Sequence, residues 1–182
     1  MTKRKISECC ELFTGFPLST KDFAENGDKE VIQLRDVDKD GIVIFGLKRT
    51  NIPVSNESKY VREGDVLFKS RGHKLEAIAL VHNPEKAIVT NGFIVLRPYP
   101  NVLPRFLSWV LNNVNFDRVT QQTHMIKSVS VRDLRELEIP MPEMARQKKI
   151  IEISDEIEKG KELAAHYFYD AETYLRGSVF NR

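Results

Sequence analysis

The chain has 182 residues, of which 41% are hydrophobic and 30% charged, a balance typical of a globular protein with a real core. A net charge of only +2 excludes a chain-wide basic field, so any nucleic-acid contact has to come from a local patch. Its two cysteines, Cys9 and Cys10, are neighbours that cannot bridge each other without strain, which indicates a reduced compartment. With no signal peptide or membrane span evident, we expect a soluble, cytoplasmic protein.

The first elements are short. Residues 6–13 place apolar side chains at helical spacing, which predicts a short helix. Pro17 interrupts this pattern, and Ser19 or Thr20 is placed to cap a single turn that begins near Lys21.

From residue 30 to residue 97 the chain consists of short runs rich in β-branched and aromatic residues, separated by turn-forming residues. These runs predict six strands, at 31–34, 42–45, 66–68, 77–81, 87–89 and 93–96. The third and fourth runs flank the segment KSRGHK, residues 69–74, which we expect at the tip of a hairpin.

The second half is predicted to be helical. Phe106, Leu107, Val110 and Leu111 form one face of a helix that follows Pro104. Ser130 is placed to cap a short helix through residue 135, and LEIPMP, residues 137–142, predicts a short strand ended by prolines.

A long helix is predicted from Glu143 to about Arg176, since this stretch has no proline and a single glycine. Small, apolar and aromatic residues fill the a and d positions of four heptads: Ile150, Ile153, Ile157, Gly160, Ala164, Tyr167, Ala171 and Tyr174. A rod of roughly 50 Å cannot bury this seam against its own small domain. We therefore expect the helix to pair with a second copy of the chain or with a partner protein; a helix folded back on its own domain is the alternative.

Patterns typical of catalysis or of a bound cofactor are missing from the sequence. No two of the four histidines lie at metal-ligand spacing, and neither a phosphate-binding loop nor a nucleophile elbow occurs. The sequence therefore predicts no catalytic residues, no metal and no cofactor.

Several basic and amide-rich segments are candidates for nucleic-acid contact. Arginine reads guanine and glutamine reads adenine in the major groove, while lysine and serine hold phosphates. Each segment taken alone is typical of a solvated loop, but together they favour nucleic acid. The candidate residues are Lys69, Ser70, Arg71, His73, Lys74, Gln121, Gln122, Thr123, His124, Lys127, Lys48, Arg49 and Lys21, with Thr14 and Ser19 as weaker candidates.

The order of these segments resembles one half of the specificity subunit of type I restriction-modification enzymes. The similarity runs over about residues 10–176 and depends on Gly64-Asp65-Val66-Leu67, on Leu137-Glu138-Ile139-Pro140 and on Gln147-Lys148-Lys149-Ile150. It implies an α+β fold, with a mixed α/β target-recognition domain of short strands at 1–142 and a conserved-region helix at 143–182 that pairs as an antiparallel coiled coil in a homodimer.

The resemblance also implies a function. Domains of this family bind double-stranded DNA and read one half-site each, and their paired helices set the spacing and dock the methylation subunits. Methyl transfer and cleavage then belong to partner subunits, so the chain is expected to be a non-catalytic subunit, with the methylation subunit and the restriction subunit as candidate partners.

The chain departs from the family in length, since members usually carry two recognition domains and two such helices. It is either a half-subunit that dimerises through its helix or an incomplete or diverged member; Met1 followed by a polar start favours the half-subunit. The rival function is a protein-interaction adaptor that assembles through the same helix.

Overall fold

The computed structural model describes residues 2–37, 41, 46–82, 84–116, 121–123 and 126–180, with the backbone alone described for 121–123 and 126. The strands in these ranges are β1 (Lys3–Lys5), β2 (Cys10–Thr14), β3 (Lys29–Ile32), β4 (Lys48–Thr50), β5 (Val66–Lys69), β6 (Arg71–Gly72), β7 (Glu76–Ala79), β8 (Ala87–Val89), β9 (Phe93–Pro98), β10 (Gln121–Thr123), β11 (Ile126–Ser128) and β12 (Glu138–Pro140). The helices are α1 (Pro104–Asn113), α2 (Val131–Glu136) and α3 (Met144–Phe180). The strand predicted at 42–45 lies outside the described residues.

A four-stranded antiparallel sheet, in the order β2-β9-β5-β7, forms the centre of the domain. Because side chains alternate along a strand, Val66 and Phe68 pack into one hydrophobic cluster and Leu67 into another. The first cluster includes residues of α1, α2 and β12, and the second includes residues of β3 and β8, which lie in the sheet β4-β3-β8. The central sheet is thus covered on both faces, which confirms the predicted α+β fold.

Helix α1 buries the predicted face of Phe106, Leu107, Val110 and Leu111. Its last turn also holds the edge strand β7, since the Asn112 side chain accepts a hydrogen bond from the Ala77 N–H and donates one to the Ala77 carbonyl, both at 2.8 Å. These bonds satisfy backbone groups that an edge strand leaves open.

The helix predicted for residues 6–13 is wrong. A single 3-10 turn at Ile6–Glu8 is followed by β2, which pairs along its whole length with β9. The apolar spacing of this segment also fits a strand, since Leu12 lies in one hydrophobic cluster and Phe13 in the other. Pairing with the distant β9 selects the strand, as tertiary context commonly does for short apolar runs.

Both predicted caps are confirmed. The Ser19 N–H donates to the Asp22 carboxylate at 2.7 Å and fixes the 3-10 turn at Thr20–Asp22, and the Ser130 hydroxyl accepts from the Asp133 N–H at 3.1 Å at the start of α2. Helix α3 is also confirmed as one continuous helix of 37 residues.

Candidate nucleic-acid interface

Several strand ends meet at one edge of the domain. The Ser70 N–H and hydroxyl both donate to the Gly92 carbonyl, at 3.0 and 3.1 Å, which ties the end of β5 to the turn before β9. The Phe16 N–H donates to the Val89 carbonyl at 2.8 Å, and Asn91 donates back to Phe16 at 2.9 Å. We call this edge the strand-end rim; it comprises residues 14–16, 69–72 and 90–92.

Gly15 explains how closely the rim is packed. A Cβ atom built at this position would overlap the Thr90 carbonyl, so any other residue would force β2 and the turn after β8 apart. The absence of a side chain therefore allows two strand ends to approach each other.

The two polar segments singled out in the sequence lie side by side at this rim. β6 pairs antiparallel with β11, with Arg71 opposite Ser128 and Gly72 opposite Lys127. β11 in turn pairs with β10, which carries the predicted candidates Gln121, Gln122 and Thr123. A three-stranded sheet, β10-β11-β6, thus unites segments separated by about fifty residues of sequence; His124 lies outside the described residues.

The hairpin prediction was right about β5 and β7, which pair with Lys69 opposite Glu76. It missed that the tip forms β6 and joins another sheet. The Ser70 side chain is buried and its hydroxyl holds the rim together, so this predicted candidate has a structural role in the described arrangement.

The basic residues of the tip differ in their surroundings. The ammonium groups of Lys69 and Lys74 lie 2.9 and 3.2 Å from the Glu76 carboxylate. Lys69 is largely buried, whereas 80% of the Lys74 side chain is exposed. Arg71 and His73 are also exposed, and neither forms an ion pair with any residue that the structure describes. Three cationic or titratable side chains therefore face solvent at one tip.

Glu76 moderates the positive charge of this tip. Burial raises the pKa of Glu76, but the hydrogen bonds and charges of Lys69 and then Lys74 outweigh it and hold the pKa below its ordinary value. The carboxylate is therefore ionised at neutral pH and offsets one of the two ammonium charges beside it.

The candidates Lys21, Lys48 and Arg49 lie on β4 and on the 3-10 turn that is hydrogen-bonded to it. The Lys48 ammonium lies 4.7 Å from the centre of the Phe23 ring, and the Arg49 guanidinium donates to the Gly27 carbonyl at 2.6 Å. Lys21 is close by, since its 3-10 turn accepts a hydrogen bond from Thr50 of β4.

The pairing of β3 with β4 connects Lys48 to the rim. Lys48 lies opposite Val31 in β3, whose neighbour Ile32 accepts a hydrogen bond from Thr90 of the rim at 3.1 Å. Among the weaker candidates, Thr14 is exposed at the end of β2 in the rim itself, and Ser19 caps the turn that carries Lys21.

The Gly64-Asp65 motif has a structural role that the sequence did not reveal. The Asp65 carboxylate is buried and receives two hydrogen bonds from the Arg97 guanidinium, both at 2.8 Å. Arg97 also donates to the carbonyls of Ser58 and Tyr60 at 2.8 Å. This ion pair fixes the loop before β5 at the end of the strand opposite the rim.

On α3, the predicted seam is exposed beyond the first turns. Ile153, Ile157, Tyr167 and Tyr174 are between 50 and 77% exposed, whereas Ile150 packs against the domain's own core. Further exposed large apolar side chains on this helix, not included in the heptad prediction, are Leu163, Phe168, Tyr169, Leu175, Val179 and Phe180. Of these, Phe168 and Leu175 extend the seam, because they lie four residues after Ala164 and Ala171.

Other kinds of site receive no support from the described part of the chain. None of its helices combines the length and apolar character that a membrane span needs. Its histidine, cysteine and acidic side chains form no group of three that could hold a metal ion.

The fold and the site together define a mixed α+β fold with polar strand-end loops, followed by a long helix that exposes an apolar seam. A sequence model of the family described as type I restriction modification DNA specificity domain matches residues 1–166. The chain belongs to this family. A search of curated proteins found no match.

Solved structures show the same fold at low sequence identity. A chain from a study titled as the structural basis of complex assembly and conformational transition of the type I R-M system has a TM-score of 0.71, with 19% identity over 94% of this chain. The HsdS subunit from Thermoanaerobacter tengcongensis has a TM-score of 0.69, with 20% identity over 96%. The S subunit from M. genitalium has a TM-score of 0.52, with 19% identity over 90%. In each case the chain covers 41% of the other protein's chain.

Proposed function

We propose that the chain is a specificity subunit that binds double-stranded DNA in a sequence-specific way and reads one half-site through its strand-end rim. The observation that carries this proposal is the pairing of β6 with β11, which unites the two predicted DNA-contacting segments in one small sheet. A two-stranded ribbon fits the major groove, where base edges can be distinguished.

The exposed side chains of the tip have distinct roles in this proposal. Arg71 is the base-reading residue, because its planar guanidinium can donate two parallel hydrogen bonds to guanine. Lys74 and His73 bind phosphates, and Lys74 adds a point charge that is already exposed. Gln121 and Gln122 on β10 are candidates for adenine contacts, and Lys48 and Lys21 extend the phosphate-binding surface.

Helix α3 pairs with α3 of a second copy in the antiparallel sense. The seam is symmetric about residue 162, so antiparallel pairing sets Gly160 against Ala164 of the other chain and Ile157 against Tyr167. Further out, each Ile153 faces Ala171, and Tyr174 lies opposite Ile150, which is already partly packed against its own domain's core. Small residues at the centre allow close approach, and each outer layer buries an isoleucine of one chain.

This dimer presents two rims related by a two-fold axis, and such symmetry requires an inverted-repeat target. Helix α3 is about 55 Å long, which corresponds to about 16 base pairs of B-DNA. The target is therefore two half-sites with a gap between them. The chain positions methylation subunits, and in a restricting system restriction subunits, and these partners carry out the chemistry.

The decisive experiment is selection of duplexes from a random-sequence library by the purified chain with its methylation subunit, followed by mapping of methylated bases in the host genome. An inverted repeat found by both methods supports the proposal. If no salt-sensitive duplex binding occurs even with the methylation subunit present, the chain is instead a protein-interaction adaptor that assembles through α3.

A further inference from the structure

Gln147, in the first turn of α3, is a completely buried polar residue whose side chain makes three hydrogen bonds to backbone groups and one, at 3.6 Å, to the Met141 sulfur. Its Oε1 atom accepts a hydrogen bond from the Leu103 N–H at 2.9 Å. Its Nε2 atom donates to the Asn101 carbonyl at 3.0 Å and to the Pro142 carbonyl at 2.9 Å. One side chain thus connects the start of α3, the start of α1 and the segment that follows β12.

The start of α1 depends on this residue, because it has no cap of its own. Leu103 occupies the cap position, makes no side-chain hydrogen bond, and is followed by Pro104. Gln147 lies on a second helix and accepts a hydrogen bond from the Leu103 N–H. This is a backbone group for which the sequence around α1 offers no side-chain partner. Burying an amide is favourable only when its hydrogen bonds are made. The bonds of Gln147 to backbone groups therefore fix the position of α3 relative to the start of α1.

A second contact lies about two helical turns further along α3. The Arg105 guanidinium of α1 donates two hydrogen bonds to the Asp155 carboxylate, at 3.0 and 2.5 Å. This bond to Arg105 holds the pKa of Asp155 below its ordinary value, so the pair is charged at neutral pH. Between the two contacts, Ile150 and Ile151 pack on the domain core.

These contacts lie at the end of the domain opposite the strand-end rim. Pro104 is next to Gly64, which precedes β5, whereas the other end of α1 reaches Ala77, next to the end of β5 that enters the rim. Beyond Asp155, almost all of α3 is exposed. Among the described residues, the domain therefore contacts the helix at the end far from the rim.

We propose that Gln147 and the Arg105–Asp155 pair, together called the helix anchor, are positioning residues that set the spacing and orientation of the two DNA half-sites. This inference rests on the proposed function. Across a domain about 35 Å wide, a tilt of about 10° at the helix anchor would move the rim by about 6 Å. That distance is nearly two base pairs, so a loosened anchor changes which gap lengths the dimer accepts.

The test compares Gln147→Met and Asp155→Ala with Glu158→Ala, a control that removes an exposed α3 carboxylate paired only with Lys161. Spin labels at Glu25→Cys in the domain and His166→Cys on α3 report their separation, with labelled chain diluted into excess unlabelled chain. The native Cys9 and Cys10 are buried, and burial raises the pKa of Cys10 to about 12, so labelling is directed to the new positions.

Both anchor variants are expected to broaden the distance distribution, while the control does not. Gel-shift titrations with two inverted half-sites at varied gaps are expected to show an at least threefold smaller preference for the best gap, at unchanged affinity for a single half-site. The swap Arg105→Asp with Asp155→Arg restores the pair and should recover the narrow preference. Asp155 is partly exposed, so this arm remains informative if Gln147→Met does not fold.

Two results overturn the inference: a distance distribution that stays narrow in Asp155→Ala, or a broadened one with an unchanged gap preference. If the unaltered chain binds no duplex, the proposed function is wrong, and the helix anchor then has no role in setting half-site spacing. Failure of the anchor and failure of the function are therefore separate results.

Discussion

Arg71 lies directly opposite Ser128 where β6 and β11 pair, although 57 positions of sequence separate the two residues. This pairing places an exposed arginine on one edge strand of a small sheet whose other edge strand carries two glutamines. It is the reason that the tip is a candidate for reading bases and not only for attracting phosphates.

The first prediction concerns Arg71. Arg71→Ala is expected to weaken binding to the selected half-site by about 1–3 kcal/mol and to relax the preference at one base pair, because a bidentate contact is lost. Competition binding against single-position variants of the half-site measures both effects. The matched control is Arg62→Ala, an exposed arginine before the opposite end of β5. Equal affinity and equal selectivity in Arg71→Ala would remove this residue from the interface.

Lys74 is predicted to contribute charge without sequence information. Lys74→Ala should weaken binding to all duplexes alike and lower the slope of log K against log salt by about 1, since one phosphate contact is lost. Titrations at several salt concentrations measure the slope, with Lys148→Ala on α3 as the control. A loss confined to one base pair would show that Lys74 reads a base instead.

Glu76 is predicted to restrain DNA binding. Glu76→Gln removes the carboxylate that pairs with Lys69 and Lys74, so non-specific affinity should rise up to about tenfold at about 0.1 M salt. Anisotropy titrations with duplexes lacking the half-site measure this change. The double variant Glu76→Gln with Lys74→Ala should return close to the original non-specific affinity. If the affinity stays raised in the double variant, the increase does not depend on the charge of Lys74.

The apolar seam of α3 is predicted to hold the dimer. Ile157→Lys should shift sedimentation from dimer to monomer, because a lysine in a core layer is buried without a partner. Tyr169→Lys is the control, since Tyr169 is also exposed in the single chain but lies on another face of the helix. Self-association that survives Ile157→Lys, or that Tyr169→Lys abolishes, would contradict the proposed pairing.

Asp65 is predicted to be important for stability and not for DNA contact. Asp65→Ala leaves the Arg97 guanidinium buried without its carboxylate, which should lower the free energy of unfolding by about 3–5 kcal/mol. Urea denaturation measures the loss. Glu158→Ala removes a carboxylate from an exposed ion pair and should change the free energy of unfolding by about 0.5 kcal/mol or less. A similar small effect in both variants would show that Arg97 finds another partner.

Much of the fold could be predicted because its signals are local. β8, β9 and α1 follow from runs of β-branched residues and from a helical apolar face, and the caps at Ser19 and Ser130 follow from side chains that bond within three residues. The prediction of a helix for residues 6–13 was wrong because the apolar spacing fits both a helix and a strand. Only the pairing with β9 selects the strand.

For the candidate interface, the sequence by itself determined which residue types were present and that a basic tip and an amide-rich segment existed. It also determined α3 and its seam, because a heptad pattern is a property of the chain alone. The tertiary structure decided that β6 joins β11, that Ser70 is buried and that Lys69 and Lys74 share Glu76. It also gave Asp65 and Gln147 their partners, since contacts between residues far apart in sequence depend on packing that no local pattern encodes.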